Sequence, residues 1–347
     1  MKISIGTKIQ DGPWGGGNLF AINFLEYLRN NGHEVVFDLS DVDIDVILLT
    51  EPRKTSPSSA YTNFDVVNYI NYINNNALVV HRINECDEHK DTNYINKYIS
   101  YANQCADATI YVSGWIKSLY DNFDEMKEKP NKVIYAGANK KIFNPSGFKP
   151  WNGKDKIKIV THHWSNNWNK GFDVYKKIDE LLDQDSFAKS FEFSFIGRLP
   201  DGFKFKNVNL INPLSGLDLA NELKNNHLYI TGSINEPSGN HHVEAGQCGL
   251  PLMYINSGGI GEYCKNFGLE YNLENLEDKL FEIKNNYLYF IDLIGSYSRD
   301  SNIMSRDFVN FFEELLNSKN KLIKNRKAVR VNIFKKFVYE SKRYFKN

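Results

Sequence analysis

Short apolar runs and amphipathic helical stretches alternate along this chain, pause, and then begin again. "KISIGT" reads as a strand, and "GGGNLFAINFLEYLRNNG" as a glycine-rich turn entering a helix. Leu19, Phe20, Ile22, Phe24, Leu25 and Leu28 of that helix recur at helical spacing. "HEVVFDL", "DVILLT", "ALVVHRI", "ATIYVS" and "KVIYAG" follow as strands, several of them separated by helical segments. Such a βα rhythm predicts a parallel sheet covered by helices on both faces. Pro and Gly cluster at residues 144–156, "NPSGFKPWNGKDK", which suits a domain boundary. The rhythm then restarts with "KIKIVTH", a helix from about Gly171 to Leu182, "FEFSFIG", a helix near Leu217 to Lys224, "LYITGS", a further helix and "LPLMYIN". The expected fold class is α/β, with two Rossmann-like doubly wound domains facing across a cleft. Residues 1–150 form the first domain and residues 151–300 the second. The helical segment 301–347 carries a basic tail and is free to cross back to the first domain.

The totals agree with this division. A length of 347 residues is better served by two cores than by one. Hydrophobic content of 41% with 24% charged residues describes a globular chain, neither disordered nor fibrous. No window approaches eighteen uninterrupted apolar residues, so no transmembrane helix is expected. "MKISIG" lacks a long apolar core and reads as a strand rather than a signal peptide. Cys86, Cys105, Cys248 and Cys264 lie far apart without a CxxC pair, which argues against a zinc site or a disulfide framework and fits the cytoplasm.

Charge is unevenly spread. The 42 bases and 42 acids divide as eleven to one over residues 319–347 and as 31 to 41 elsewhere. Within that segment Phe334, Phe337 and Val338 share a helical face, Phe345 falls near it, and Lys and Arg fill much of the rest. A basic amphipathic helix suits peripheral contact with an anionic membrane surface. A closing helix packed on the first domain has the same pattern. The acidic remainder argues against nucleic acid.

Four stretches carry polar groups at strand ends, where ligands of doubly wound sheets sit. In "GPWGGGN" the glycines admit close backbone approach and the following helix start favours an anion, although neither GxGxxG nor a P-loop is present. A plain flexible turn is the other reading. "VVHRINECDEHK" puts His81 and Arg82 at a strand end on the cleft side, as functional groups or as a hydrogen-bonded strand terminus. "THHWSNNWNKG" sets Lys170-Gly171 at a helix start, where a lysine reaches a phosphate or is merely solvated. His162 and His163 are adjacent and lack a third metal ligand. In "NEPSGNHHVEAGQCGLPL", Pro237 and Gly239 keep Glu236 on a loop. Ser238 or Asn240 caps a helix running to about Cys248, so Glu244 lies in an early turn near Glu236. A second glycine turn, "SGGIGE", follows the next strand.

These pieces in this order resemble the GT-B glycosyltransferases, specifically the retaining enzymes of glycosyltransferase family 4. The likeness runs from Lys2 to about Phe311. It is carried by Gly15-Gly16-Gly17, "NNGHEV", "VVHRI", "IYVSGWIKSLY", "VIYAGANKKIFNP", Lys170-Gly171, Glu236-x7-Glu244 with "EAGQCGLPL", and "SGGIGEY". The resemblance implies a nucleotide-sugar donor on the second domain and a glycan or lipid-linked acceptor on the first. Glu244 would bind the donor ribose, and Glu236 would lie by the donor sugar with Asn240 and Gly171 beside it. Lys170, with backbone amides near Gly16, Gly17 and Gly259, would stabilise the leaving diphosphate. His81 would contact the sugar or the acceptor. No metal and no cofactor beyond the donor is implied. One departure stands out: "HHWSNNWNKG" lacks the arginine that many relatives carry about five residues before the lysine. Arg198 in "FIGRLP", or one of the histidines, is the substitute in view. A GT-B epimerase and a non-catalytic nucleotide- or glycan-binding chain are the competing readings.

Overall fold

The computed structural model describes all residues except 11, 13, 14, 328 and 342–347, and leaves the side chains of 339–341 undescribed. Phe345 lies outside the described residues. Two six-stranded, wholly parallel sheets carry the fold. The first contains β1 (Lys2–Ile5), β2 (Glu34–Val36), β3 (Val46–Leu49), β4 (Leu78–Ile83), β5 (Ala108–Tyr111) and β6 (Asn131–Val133) in the order β2-β1-β3-β4-β5-β6. The second contains β7 (Ile157–His163), β8 (Phe191–Gly197), β9 (Asn209–Ile211), β10 (Leu228–Thr231), β11 (Leu252–Tyr254) and β12 (Gly268–Glu270) in the order β12-β11-β10-β7-β8-β9. The α/β architecture expected from the rhythm is the one observed. Met1–Tyr135 and the chain from Asn302 onward form one compact unit, and Ala136–Ser301 forms a second.

Interior strands show why the apolar runs were legible. Every residue of β3 and β4 is buried, as both faces of a parallel sheet are covered. Alternate residues divide between two cores: Val46, Leu48, Leu78 and Val80 face the helix Gly16–Asn30, while Ile47, Leu49 and Val79 face the helix Asn63–Tyr72. The edge strands β9 and β12 were not foreseen. Each is three residues long and largely uncovered, so neither carries an apolar run.

Strand order locates the sites that each sheet can offer. In the second sheet the chain builds outward from β7 to β8 and β9, then returns to place β10 on the other side of β7. Connections leave β7 and β10 toward opposite faces, which opens a crevice at their carboxyl ends. The first sheet has the equivalent reversal beside β1, between β2 and β3.

The C-terminal helix Ser301–Asn317 supplies Met304, Phe308, Phe311, Phe312 and Leu315 to the core of the first sheet. Phe308 packs 5.2 Å from both Phe20 and Phe24. Further on, Arg326 forks onto Asp107 with Nε–Oδ1 at 2.8 Å and Nη2–Oδ2 at 2.6 Å, and also donates to the carbonyls of Asn75 and Ala77. Asp107 Oδ2 accepts the Val79 N–H as well, and its side chain is 2% exposed. Removing the guanidinium leaves a buried carboxylate unpaired. Arg326→Ala is therefore expected to lose about 3 kcal/mol of unfolding free energy in urea titration, with Arg326→Lys recovering only part because it cannot make the fork.

Candidate functional site

The described polar groups of the second unit converge where β7 and β10 end side by side. After His163 the chain reaches a single 3-10 turn, Trp168–Lys170, and then the helix Phe172–Leu181. Gly171 links them at φ 106°, in the left-handed region. A Cβ there would fall 2.6 Å from the Gly232 backbone carbon, and one on Gly232 would meet Gly171 Cα at 3.0 Å. Two glycines thus let the helix start approach the end of β10. The Ile234 N–H donates to the Asn169 carbonyl at 2.8 Å, joining the two loops. Tyr175 donates its hydroxyl proton to the Lys170 carbonyl at 2.9 Å and accepts the Gly232 N–H at 3.3 Å. Its oxygen lies 2.7 Å from His163 Nε2, so the imidazole is the donor in that bond.

Beyond β10, Asn235 is left-handed at φ 53°, and its N–H donates to Ser257 Oγ at 2.9 Å. The Gly259 N–H donates to the Glu236 carbonyl at 2.8 Å. Gly258, at φ 65°, lies so close that a Cβ would come within 2.4 Å of that carbonyl oxygen. The "SGGIGE" turn is therefore a brace beneath Glu236. It holds the carboxylate against Lys170, with Nζ to Oε2 at 2.5 Å and side chains only 14% and 10% exposed.

The helix Asn240–Gln247 begins immediately afterwards. Its cap is Gly239 at φ 68°, and no side chain caps it; Ser238 and Asn240 do not take that role. The rings of His241 and His242 and the Cγ of Glu236 all lie within about 3 Å of where a Gly239 Cβ would be, so only glycine fits. On the next turn, Glu244 Oε2 meets His162 Nε2 at 2.9 Å, with both side chains below a tenth exposed. Thr231 Oγ1 lies 2.8 Å from His241 Nε2, and His163 packs edge-on to His241 with centroids 4.6 Å apart. Burial pushes His163 and His241 well below the ordinary imidazole value; the Lys170 charge adds to this for His163 and neighbouring histidines add for His241. Burial takes His242 down to about 3, with the nearby Glu236 charge opposing it and His162 adding to it. The buried surroundings of Lys170 and Glu236 thus include the neutral imidazoles of His163, His241 and His242.

The sequence expectations map onto this geometry as follows. Lys170, Gly171, Glu236, Asn240, Glu244 and Gly259 gather at the β7/β10 edge, with Asn240 opening the helix and half-buried. Lys170 and Glu236 are directly paired, which residues 66 apart in sequence did not reveal. Gly259 differs from expectation: its N–H is engaged by the Glu236 carbonyl, so the turn supports the loop rather than presenting that amide. Arg198 follows Gly197, which pairs across the sheet with His163, and its side chain is exposed at the same edge. Gly16 and Gly17 belong to the first unit and open the helix Gly16–Asn30, where the Asn18 N–H already donates to the Gly15 carbonyl at 3.0 Å. Asn18 closes the glycine loop with two bonds of 2.9 Å to the Gln10 backbone.

His81 requires a correction. It sits inside β4, is 1% exposed, and approaches Asn103 Nδ2 at 3.3 Å through Nδ1. Burial, with a smaller effect of Lys129, lowers its pKa to about 3. The strand continues to Ile83 and covers it, so the ring does not stand at an open strand end. Arg82 is likewise buried, its guanidinium 4.1 Å from the Phe20 ring centre. The reading of the sequence missed Tyr175, His241 and His242. Tyr175 carries one available signal, its place one helical turn beyond Gly171. Among the described residues, no group of three or more His, Cys, Asp or Glu side chains has metal-holding geometry.

The sequence matches no protein-family model and no curated protein. Solved structures do match in fold. A glycosyltransferase from Rickettsia africae ESF-5 aligns with TM-score 0.66 at 16% identity, over 91% of this chain and 98% of that one. HepE of Anabaena, solved in complex with UDP-glucose, aligns with TM-score 0.66 at 14% identity, over 91% of this chain and all of that one. Sucrose-phosphate synthase from Thermosynechococcus elongatus aligns with TM-score 0.59 at 12% identity, over 91% and 99%. The chain has the GT-B fold of glycosyltransferases.

Two outcomes follow from this geometry. Gly171→Ala is expected to lower stability by more than about 1 kcal/mol and to weaken any ligand held by Lys170, measured by denaturation and calorimetry on one preparation. The pH dependence has a defined sign. His81, His163, His241 and His242 have folded pKa values below the unfolded 6.5, so the unfolded chain takes up protons first. Their contribution is present above pH 6.5 and is lost as pH falls toward the folded values, by up to about 1.4 kcal/mol per pH unit for each. Urea midpoints should be level from pH 8 to 7 and drop steeply below 6.

Proposed function

We propose that this chain is a retaining glycosyltransferase that moves a sugar from a nucleotide-diphosphate-sugar to a glycan or lipid-linked acceptor without a metal ion. The observation that carries the reading is the Lys170–Glu236 pair, held largely out of water at the β7/β10 reversal. Structures of the same fold that include a complex with UDP-glucose support the choice of donor class.

In this reading the bond between the anomeric carbon and the diphosphate oxygen breaks, and negative charge grows on the leaving group. The Lys170 ammonium is shared between Glu236 and that charge, and the first-turn amides of the helix Asn240–Gln247 add to it. Arg198 is the second phosphate clamp at that edge, with Gly171 beside it. Glu236 takes the donor sugar hydroxyls. The ribose belongs to Glu244 acting with His162, since the carboxylate already has that partner. The acceptor oxygen attacks from the face the phosphate leaves, and a phosphate oxygen receives its proton, so no carboxylate serves as nucleophile or base. His81 takes no direct part. The site belongs to a cytoplasmic protein, and peripheral contact with an anionic membrane accords with a lipid-linked acceptor.

A panel of nucleotide-diphosphate-sugars, tested for transfer and for slow donor hydrolysis, examines this. Lys170→Ala and Glu236→Gln are expected to lower kcat/KM about a hundred- to a thousand-fold. Variants as fast as the parent would sink the site assignment. An isomerised donor sugar formed without acceptor would identify an epimerase, and thermal stabilisation by donor without turnover would identify a binding chain.

A further inference from the structure

We propose that the helix Ile333–Ser341 is a membrane-surface docking element whose apolar face points away from the protein, toward anionic lipid. Helices on protein surfaces ordinarily bury their apolar stripe. This one is turned over. Ile333, Phe334 and Phe337, which share one helical face, are 81%, 76% and 69% exposed. The lysines lie against the first unit instead: Lys335 Nζ is 4.5 Å from the Tyr101 ring centre and Lys336 Nζ 5.9 Å from that of Phe64. The segment leading to it is fixed by the Arg326–Asp107 fork, by Val329 and Val331 packed on the core behind β3, and by Asn71 Nδ2 donating to the Val329 carbonyl at 3.0 Å. The lead-in to the outward apolar face is therefore anchored at Arg326, Val329 and Val331.

Charge selects the occupant. Lys327 and Arg330 are exposed on the segment that leads into the helix, and Lys342, Arg343 and Lys346 follow it in sequence. Aromatic and aliphatic side chains flanked by cations match the interface of an anionic bilayer, where rings enter the acyl boundary and ammonium groups meet phosphate. A second copy of the chain is the weaker occupant. Three side chains on a nine-residue helix offer far less than the roughly 800 Å² per partner of a stable dimer. The inference rests on the peripheral-contact part of the proposed function and is independent of the donor site.

The test is co-sedimentation of the full chain with vesicles of phosphatidylcholine alone or mixed with phosphatidylglycerol, for the parent and for a Phe334→Ser/Phe337→Ser variant that keeps every charge. The parent should bind the anionic vesicles, weaken as salt is raised, and bind the neutral ones poorly. The variant should bind the anionic vesicles at least about tenfold more weakly, because two rings no longer leave water. Equal binding by parent and variant, no binding by the parent, or a parent dimer that the variant loses would each overturn the proposal. Denaturation midpoints of both proteins confirm folding, and donor binding measured alongside separates failure of the membrane element from failure of the transferase reading.

Discussion

The close contact of Gly171 with Gly232 is the constraint on which the candidate site depends. Any side chain at either position would separate the start of the helix Phe172–Leu181 from the end of β10. With both absent, the Lys170 turn lies close enough to the next strand's loop for Asn169 to accept from Ile234 and for Tyr175 to bond backbone groups on both sides. Lys170 then meets Glu236 as a matter of geometry, not of flexible search. A long cationic side chain loses considerable rotamer freedom when held in one place, and here the backbone beneath it is already fixed.

How much of this could be read in advance follows from what each residue answers to. The sheets were legible because parallel strands buried on both faces are largely apolar, as β3 is throughout and β4 is over Leu78–Val80. β9 and β12 were not, because Asn209–Ile211 and Gly268–Glu270 do not stand out from the loops around them, whereas the equally short edge strands β2 and β6 lie within longer apolar runs. Punctuation by Pro237 and Gly239 placed Glu236 on a loop and Glu244 on a helix. The partners of those carboxylates, Lys170 and His162, come from another strand's loop, and only the three-dimensional register supplies them. His81 shows the opposite failure. A polar residue near a strand end looks functional in a sequence, yet here the strand continues and the ring is buried beside Asn103 at the end of the helix Ile95–Asn103.

The histidines give the second unit a particular electrostatic character. Cationic rings would add positive charge beside Lys170, and that charge would vary with pH. Rings kept neutral by burial offer one donor and one acceptor each, at fixed positions and without net charge. Charge in this site is thereby confined to a few groups: Lys170 and Glu236 as one pair, Glu244 with its histidine, and Arg198 at the exposed rim.

The Arg326–Asp107 fork has a consequence for where this protein can be shortened. Among the described residues, Arg326 lies beyond Leu315, the last fully buried residue of the C-terminal helices, and only the partly buried Val329 and Val331 pack on a core after it. Yet Asp107 stands at the start of β5, under the Val79 amide, and its charge is neutralised from the far end of the sequence. The segment after Asn317 is a clasp as well as a tail. A truncation made after Asn317 would remove the outward-facing helix and open that clasp together, and lost membrane binding would then be inseparable from a loosened first sheet; one made after Val331 would leave the clasp closed.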